Sequence, residues 1–520
     1  MRGLSRAGNG RAAAFAAAIA VVALVSIGSA ASPSVISPPD LTSTASSGDG
    51  SFVPAAGDAR GGLAIVHHAG GILLVATGVT GSTVLLHRTG YLGIEPTLGT
   101  DARGRVFAAA KRNDGVVLES LVIRSTDQGA TWKDVSPSVG PVNPHAYSED
   151  PYIYVDPATG RLFDDDLIVP CQLLSSSDNA GASWHHTLVA CDESDHQTIF
   201  AGPPSTTAPV GYPGVVYDCA IGGGALSPTS TTTECDRSLD GGRTFLPGAP
   251  AFVAPLGRGP GAYGIPGFCD GATGHGFVGP DGTVYLPRGW CGQPWLATSR
   301  NEGLSWKRVQ VASNGMPVDA SGAFDHEAGA VADAAGNVYY FWVAHDRLPY
   351  LAVSRDHGRT WGSPMMIGAP GLKESSLPAI AIGGSGKIAM AYMGSTNSPG
   401  SPFPNELDCP PNKLVRFLLN CPDPPVYARV TWNGYVTTTA SALDPSPTFV
   451  TSSINDLSDP LIVGTCGPIR CGAEFDFIAV QVAPDGTPWA AFIDACAPTL
   501  KCARAGELVV AHLIGDPSLR

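Results

Sequence analysis

Carboxylates, imidazoles and guanidinium groups stand at the edges of short apolar runs along this chain. Glu95, Asp150, His196, His275, Glu327, Glu374 and Asp476 come just before such runs, while Lys111, Arg112, Arg288, Arg347, Tyr392 and Asp494 come just after them. Two carboxyl groups facing one another can act as general acid and base, or open a glycosidic bond held between them. Arginine offers a planar fork of donors that fits a carboxylate. A tyrosine that loses its proton to a neighbouring carboxylate becomes a nucleophile. Polar side chains at strand ends also line wet channels without doing chemistry.

The elements that would position these residues repeat. An apolar strand, a glycine-containing turn and a second apolar strand recur at 96–110, 151–163, 276–286, 328–342, 378–392 and 477–492, with a stretched version at 197–219. A second pattern, Ser-x-Asx-x-Gly-x-Ser/Thr-aromatic, begins at Ser125, Ser177, Ser238, Ser299 and Ser354. Its third residues are Asp127, Asn179, Asp240, Asn301 and Asp356. An Asx side chain there accepts the orphan N–H groups of a tight turn, and the glycine takes a backbone conformation that a side chain disfavours. The closing aromatic starts the next strand and buries its ring between sheets. These five acids and amides therefore read as scaffold, already occupied by their turns.

A period of about 50 residues holding four short strands predicts an all-β propeller with four-stranded antiparallel blades. Seven units can be counted, with six as the alternative. An N-terminal strand such as GILLVATG or STVLLHR is expected to complete the last blade, because ring closure removes open sheet edges. With blade strands ordered A to D, the repeated turn joins C to D on the lower face. The starts of A and the B-to-C connections share the upper face, where chemistry is expected. Twelve cysteines, at Cys171, Cys191, Cys219, Cys235, Cys269, Cys291, Cys409, Cys421, Cys466, Cys471, Cys496 and Cys502, form six consecutive neighbours that map to that upper face. No Cys-x-x-Cys pair is present, which favours disulfides over zinc, although the spacing alone leaves their connectivity open. Such staples would preorganise the upper loops.

Three arginines, an apolar run at 12–30 and small residues predict a signal peptide over 1–31, with an uncleaved anchor as the alternative. A Ser/Thr/Pro-rich linker follows over 32–55, and 56–520 is read as one propeller domain. No other membrane span is expected. The net charge of -14 argues against a nucleic-acid partner. An extracellular glycan or protein is the expected partner of a monomeric, exported chain. No cofactor is expected. The run Asp164–Asp166 reads as a solvated strand end, with a structural calcium as its alternative.

The five turns resemble those of the Asp-box (BNR-repeat, sialidase-like) propellers, a likeness covering 60–515. That superfamily includes exo-sialidases and propellers with no hydrolase activity. The resemblance implies either a glycan-binding propeller or a sialidase-like hydrolase, and a protein-interaction platform is a further alternative. For the hydrolase it implies three arginines clamping a sugar carboxylate, with Arg112, Arg288 and Arg347 as candidates. It also implies Tyr392 as nucleophile, activated by Glu374, and Asp150 as acid/base. Glu95, His196, His275, Glu327 and Asp476 would complete the ligand-binding face. The Phe/Tyr-Arg-Ile-Pro motif that usually precedes the first such turn in sialidases is absent.

Overall fold

The computed structural model describes 65–68, 73–74 and 83–520, apart from 114–117, 141–144, 169–170, 190, 192–194, 223–231, 254–272, 291, 316–327, 400–428, 465–475, 477, 497–505 and 516–517. The chain divides into Met1–Pro54 and Ala55–Arg520, and every described residue lies in the second unit. Among the described residues the regular structure is all strand, arranged in six antiparallel sheets. None is a helix long and apolar enough to cross a membrane.

Three sheets have four strands in simple sequence order. The first contains Pro151–Val155, Leu162–Leu167, Gln172–Ser177 and His185–Val189. The second runs from Phe277–Val278 through Val284–Trp290 and Gln293–Ser299 to Lys307–Gln310. The third runs from Gly329–Ala332 through Val338–Val343 and Pro349–Ser354 to Met365–Met366. A three-stranded sheet of Asp195–Gly202, Val215–Gly222 and Thr232–Ser238 gains a ragged fourth edge through bridges from Thr233 to Phe252 and Arg237 to Leu246. Glu374–Ile382, Ile388–Ser395, Thr431–Thr439 and Thr448–Ser453 form another set, whose edge is extended by Ile65–His68 and Leu73–Leu74.

The remaining seven-stranded sheet is built around the strand Thr83–Thr100, which serves two partners. Its residues 83–93 pair with Gly506–Ile514, beyond Ala479–Val482 and Pro488–Asp494. Its residues 94–100 pair with Val106–Asn113, which leads to Leu118–Ser125 and Lys133–Asp134. The expected closing strand STVLLHR therefore does join the N-terminal region to the last sheet. Inner strands of successive sets pack against one another in chain order, and the last, Ala479–Val482, packs against Thr83–Thr100. The core lies between sheets, so second strands such as Val338–Val343 (VYYFWV) are buried along their whole length.

The repeated turns adopt the geometry their composition dictates. Gly129 N donates to Ser125 Oγ at 2.9 Å and Thr131 N to Asp127 Oδ1 at 2.9 Å, and the other four turns keep equivalent bonds. Gly129, Gly181, Gly242, Gly303 and Gly358 all have positive φ. Trp132, Trp184, Phe245, Trp306 and Trp361 pack against core clusters.

At the closure, His87 Nε2 lies 3.0 Å from His512 Nδ1, and the His512 ring lies tilted against Trp489 at 4.3 Å. Burial, then the neighbouring His87, lowers the His512 pKa to about 4. The unfolded chain binds protons here from about pH 6.5 downward while the folded chain resists until about pH 4, so stability falls as pH drops through that window. We expect wild type to lose about 3 kcal/mol more than His512→Leu between pH 7 and pH 4 in denaturant titrations. Parallel pH curves for the two proteins would refute this.

Candidate functional site

Three inner strands begin with a β-bulge whose first residue has positive φ: Glu95 at 58°, His196 at 49° and Leu377 at 54°. A bulge re-aims the side chain it carries. Asp150 and Asp476 stand just before the inner strands Pro151–Val155 and Ala479–Val482 of the sets on either side of Glu95. As a result Glu95, Asp150 and Asp476, from three different strand sets, bring carboxylate oxygens within 4.8 Å of one another. All three are buried.

Lys111, at the far end of the strand paired to Glu95, supplies the positive charge. Its Nζ lies 2.9 Å from Glu95 Oε2 and 3.2 Å from Asp150 Oδ1. Burial, then the Asp150 charge, raises the Glu95 pKa well above the carboxylate range. Burial also works against ionised Asp150, but the hydrogen bond from Glu95 and the charges of Lys111 and His196 hold its pKa below the usual value. Burial and mutual repulsion thus favour a neutral Glu95 beside an ionised Asp150. Three carboxylates at this spacing could also hold a metal ion, a place Lys111 Nζ partly fills.

The other expected site residues are distributed differently. Tyr392 is a correction: it lies in the middle of the wholly buried strand Ile388–Ser395, stacked on Tyr435 at 5.5 Å, and its hydroxyl accepts Ala369 N at 3.0 Å. It is core, packed between sheets. Glu374 is bound instead to Arg347, whose Nε and Nη2 donate to Oε1 at 2.9 and 2.6 Å, and to Ser398 Oγ. Each of the three arginines has a partner of its own. Arg112 Nη2 meets Asp134 Oδ2 at 2.5 Å; Arg288, fully buried, donates to Thr233 Oγ1 at 2.5 Å and lies over Phe252; Arg347 is neutralised by Glu374. His196 is near enough to favour ionised Asp150, and the His275 ring lies tilted against Tyr152 at 4.6 Å. Glu327 lies outside the described residues.

Asp164–Asp166 is a second correction. The expected solvated run sits fully buried in the strand Leu162–Leu167. Burial pushes the Asp164 pKa up to about 7. Of the cysteines, Cys171 pairs with Cys191, tying the connection after Leu162–Leu167 to the end of the same sheet. Cys219 pairs with Cys235, and here the loop staple expected from sequence is an in-sheet bridge between directly opposed residues of adjacent strands. Cys496 is also disulfide-bonded, while Cys269, Cys291, Cys409, Cys421, Cys466, Cys471 and Cys502 lie outside the described residues.

No family model and no curated protein sequence matches the chain. Solved structures with a similar layout include an α-L-arabinofuranosidase from Fusarium graminearum, 11% identical with a TM-score of 0.39 over 72% of this chain and 95% of that one. An intramolecular trans-sialidase from Ruminococcus gnavus is 13% identical with a TM-score of 0.37, covering 83% and 96%. The Aleuria aurantia lectin bound to Fucα1-6GlcNAc is 11% identical with a TM-score of 0.38, covering 59% and 89%. All three TM-scores are below 0.5, and the reading of the site rests on this chain's own geometry.

Proposed function

We propose that this chain is an exported, seven-bladed β-propeller that recognises a glycan where its inner strands begin, with Glu95, Asp150, Asp476 and Lys111 at the centre of the site. The observation that carries this reading is the convergence of three carboxyl groups and one ammonium from three strand sets on one point. Such a group offers donors and acceptors together, which is what sugar hydroxyls require. The count of seven follows from treating the strand Thr83–Thr100 as the junction of a first and a last blade. Export rests on the N-terminal segment and is supported by the disulfides.

The sign of the site restricts the ligand. Three acids meet one lysine, while Arg347 and Arg112 already face their own carboxylates, so an anionic sugar would enter against net negative charge. Neutral or amino-bearing glycans fit better. A sialidase mechanism draws no support from the contacts described, since Tyr392 packs in the core and each of the three arginines has a partner of its own. One observation favours a second reading, glycoside hydrolysis. In that reading Glu95 is the acid and Asp150 the nucleophile, and it requires the Glu95–Asp150 hydrogen bond to open to the roughly 5 Å that admits a glycosidic bond. A glycan panel containing neutral, amino and sialylated structures tests the main proposal. We expect binding or cleavage confined to neutral or amino glycans; selective binding of sialosides, or no glycan bound at all, would contradict it.

A further inference from the structure

The strand Leu162–Leu167 carries acids where a strand covered on both faces normally carries apolar residues. Alternation sends Asp164 and Asp166 to one face and Asp165 to the other. On the first face Ser120 Oγ, from the strand Leu118–Ser125 of the preceding set, donates to Asp164 Oδ2 at 2.8 Å. Asp164 Oδ1 and both Asp166 oxygens are buried without a hydrogen-bond partner. Neither acid forms an ion pair with a lysine or arginine among the described residues.

An independent group points into the same place. The Ser148 hydroxyl comes from the segment leading to Asp150, is fully buried and makes no hydrogen bond of proper geometry. This hydroxyl and that of Ser120 nevertheless both lie close enough to Asp166 to favour that residue's charged form. Two carboxylates and two hydroxyls thus face one another in the interior with most of their oxygens unused. Burying such groups without compensation is costly, and a cation removes that cost.

We propose that Asp164, Asp166, Ser120 and Ser148 form a buried calcium site between the strands Leu118–Ser125 and Leu162–Leu167. The donors are all hard oxygens, up to four from carboxylates and two from hydroxyls, and the two negative charges balance a divalent ion. Calcium accepts about six to eight oxygens in flexible geometry, whereas magnesium keeps much of its water and zinc favours nitrogen and sulfur. The ion also has a consequence for the candidate site. Ser120 is the cross-strand partner of Lys111, and Ser148 is two residues from Asp150, so the ion would fix the two elements that carry the Lys111–Asp150 contact.

The test uses the full mature chain, purified with and without calcium and then chelated. Elemental analysis should find about one calcium per chain, and excess calcium should raise the midpoint of thermal unfolding by about 5 °C over the chelated protein. Asp166→Asn should abolish this shift, and Ser148→Ala should weaken calcium binding about tenfold while retaining the fold. Asp476→Asn, in the central cluster, should leave the shift unchanged. The proposal is overturned by absence of bound metal together with identical melting in calcium and chelator. It is equally overturned if Asp476→Asn abolishes the response while Ser148→Ala leaves it intact, since the ion would then lie among Glu95, Asp150 and Asp476.

Discussion

Replacing Lys111 by methionine is expected to lower the unfolding free energy by about 3 to 5 kcal/mol. Methionine keeps an apolar stem of similar length and removes the ammonium. Glu95 and Asp150 then lose the cation that lies 2.9 and 3.2 Å away, and Asp476 remains beside them. Removing one partner of a buried ion pair leaves an uncompensated charge, which costs far more than the net worth of the pair. Adding Asp150→Asn to Lys111→Met should restore part of the loss, because the ionised acid is then gone from the same pocket. Denaturant unfolding of the two single variants and the double variant measures this coupling. A loss below about 1 kcal/mol for Lys111→Met would mean that the acids are solvated and that the cluster is not the dry site described.

The second large effect concerns closure. A chain beginning at Ser82 keeps the strand Thr83–Thr100 and should fold, having lost, among the described residues, Ile65–His68 and Leu73–Leu74 from the edge of one sheet. A chain beginning at Ile94 loses every residue paired to Gly506–Ile514, including buried Val84 and the Thr89 hydroxyl that donates to Leu508 O at 2.6 Å. The exposed strand edge then becomes a template for association. We expect this shorter chain to aggregate or to lose its cooperative unfolding transition. Val84→Asp, a single-residue version of the same lesion, should cost about 3 kcal/mol. If the chain starting at Ile94 unfolds with the cooperativity of the longer one, the strand Thr83–Thr100 does not close the ring.

Much of this architecture is legible in the sequence because it is dictated locally. The Asx side chain and glycine of each repeated turn satisfy backbone groups within eight residues, so the pattern survives translation into structure unchanged. Strand closure is readable down to two candidates: STVLLHR supplies it, whereas Leu73–Leu74 of GILLVATG joins the edge of another sheet. The site is legible only in part. Glu95, Asp150 and Asp476 stand out as polar residues before apolar runs, but Glu95 reaches the other two from a bulge that shifts the register by one residue. A proline follows Glu95, Asp150 and Leu377 alike, so aligning on proline places Leu377 in the position of the other two. Glu374 stands three residues earlier and finds Arg347 instead. Tyr392 looked accessible because it ends an apolar run, whereas the strand Ile388–Ser395 continues, buried, for three more residues. Asp164–Asp166 misled in the opposite sense, because charge usually marks solvent and here occupies a strand covered on both faces.

The central claim is that ligand recognition belongs to the carboxyl cluster and not to the tyrosine. The most direct measurement is the affinity of the best glycan from the panel, taken by calorimetric titration on wild type, Glu95→Gln and Tyr392→Phe. We predict that Glu95→Gln weakens binding at least tenfold while Tyr392→Phe, a change within the core, binds as wild type does. Unaltered affinity in Glu95→Gln together with lost affinity in a folded Tyr392→Phe would contradict the account.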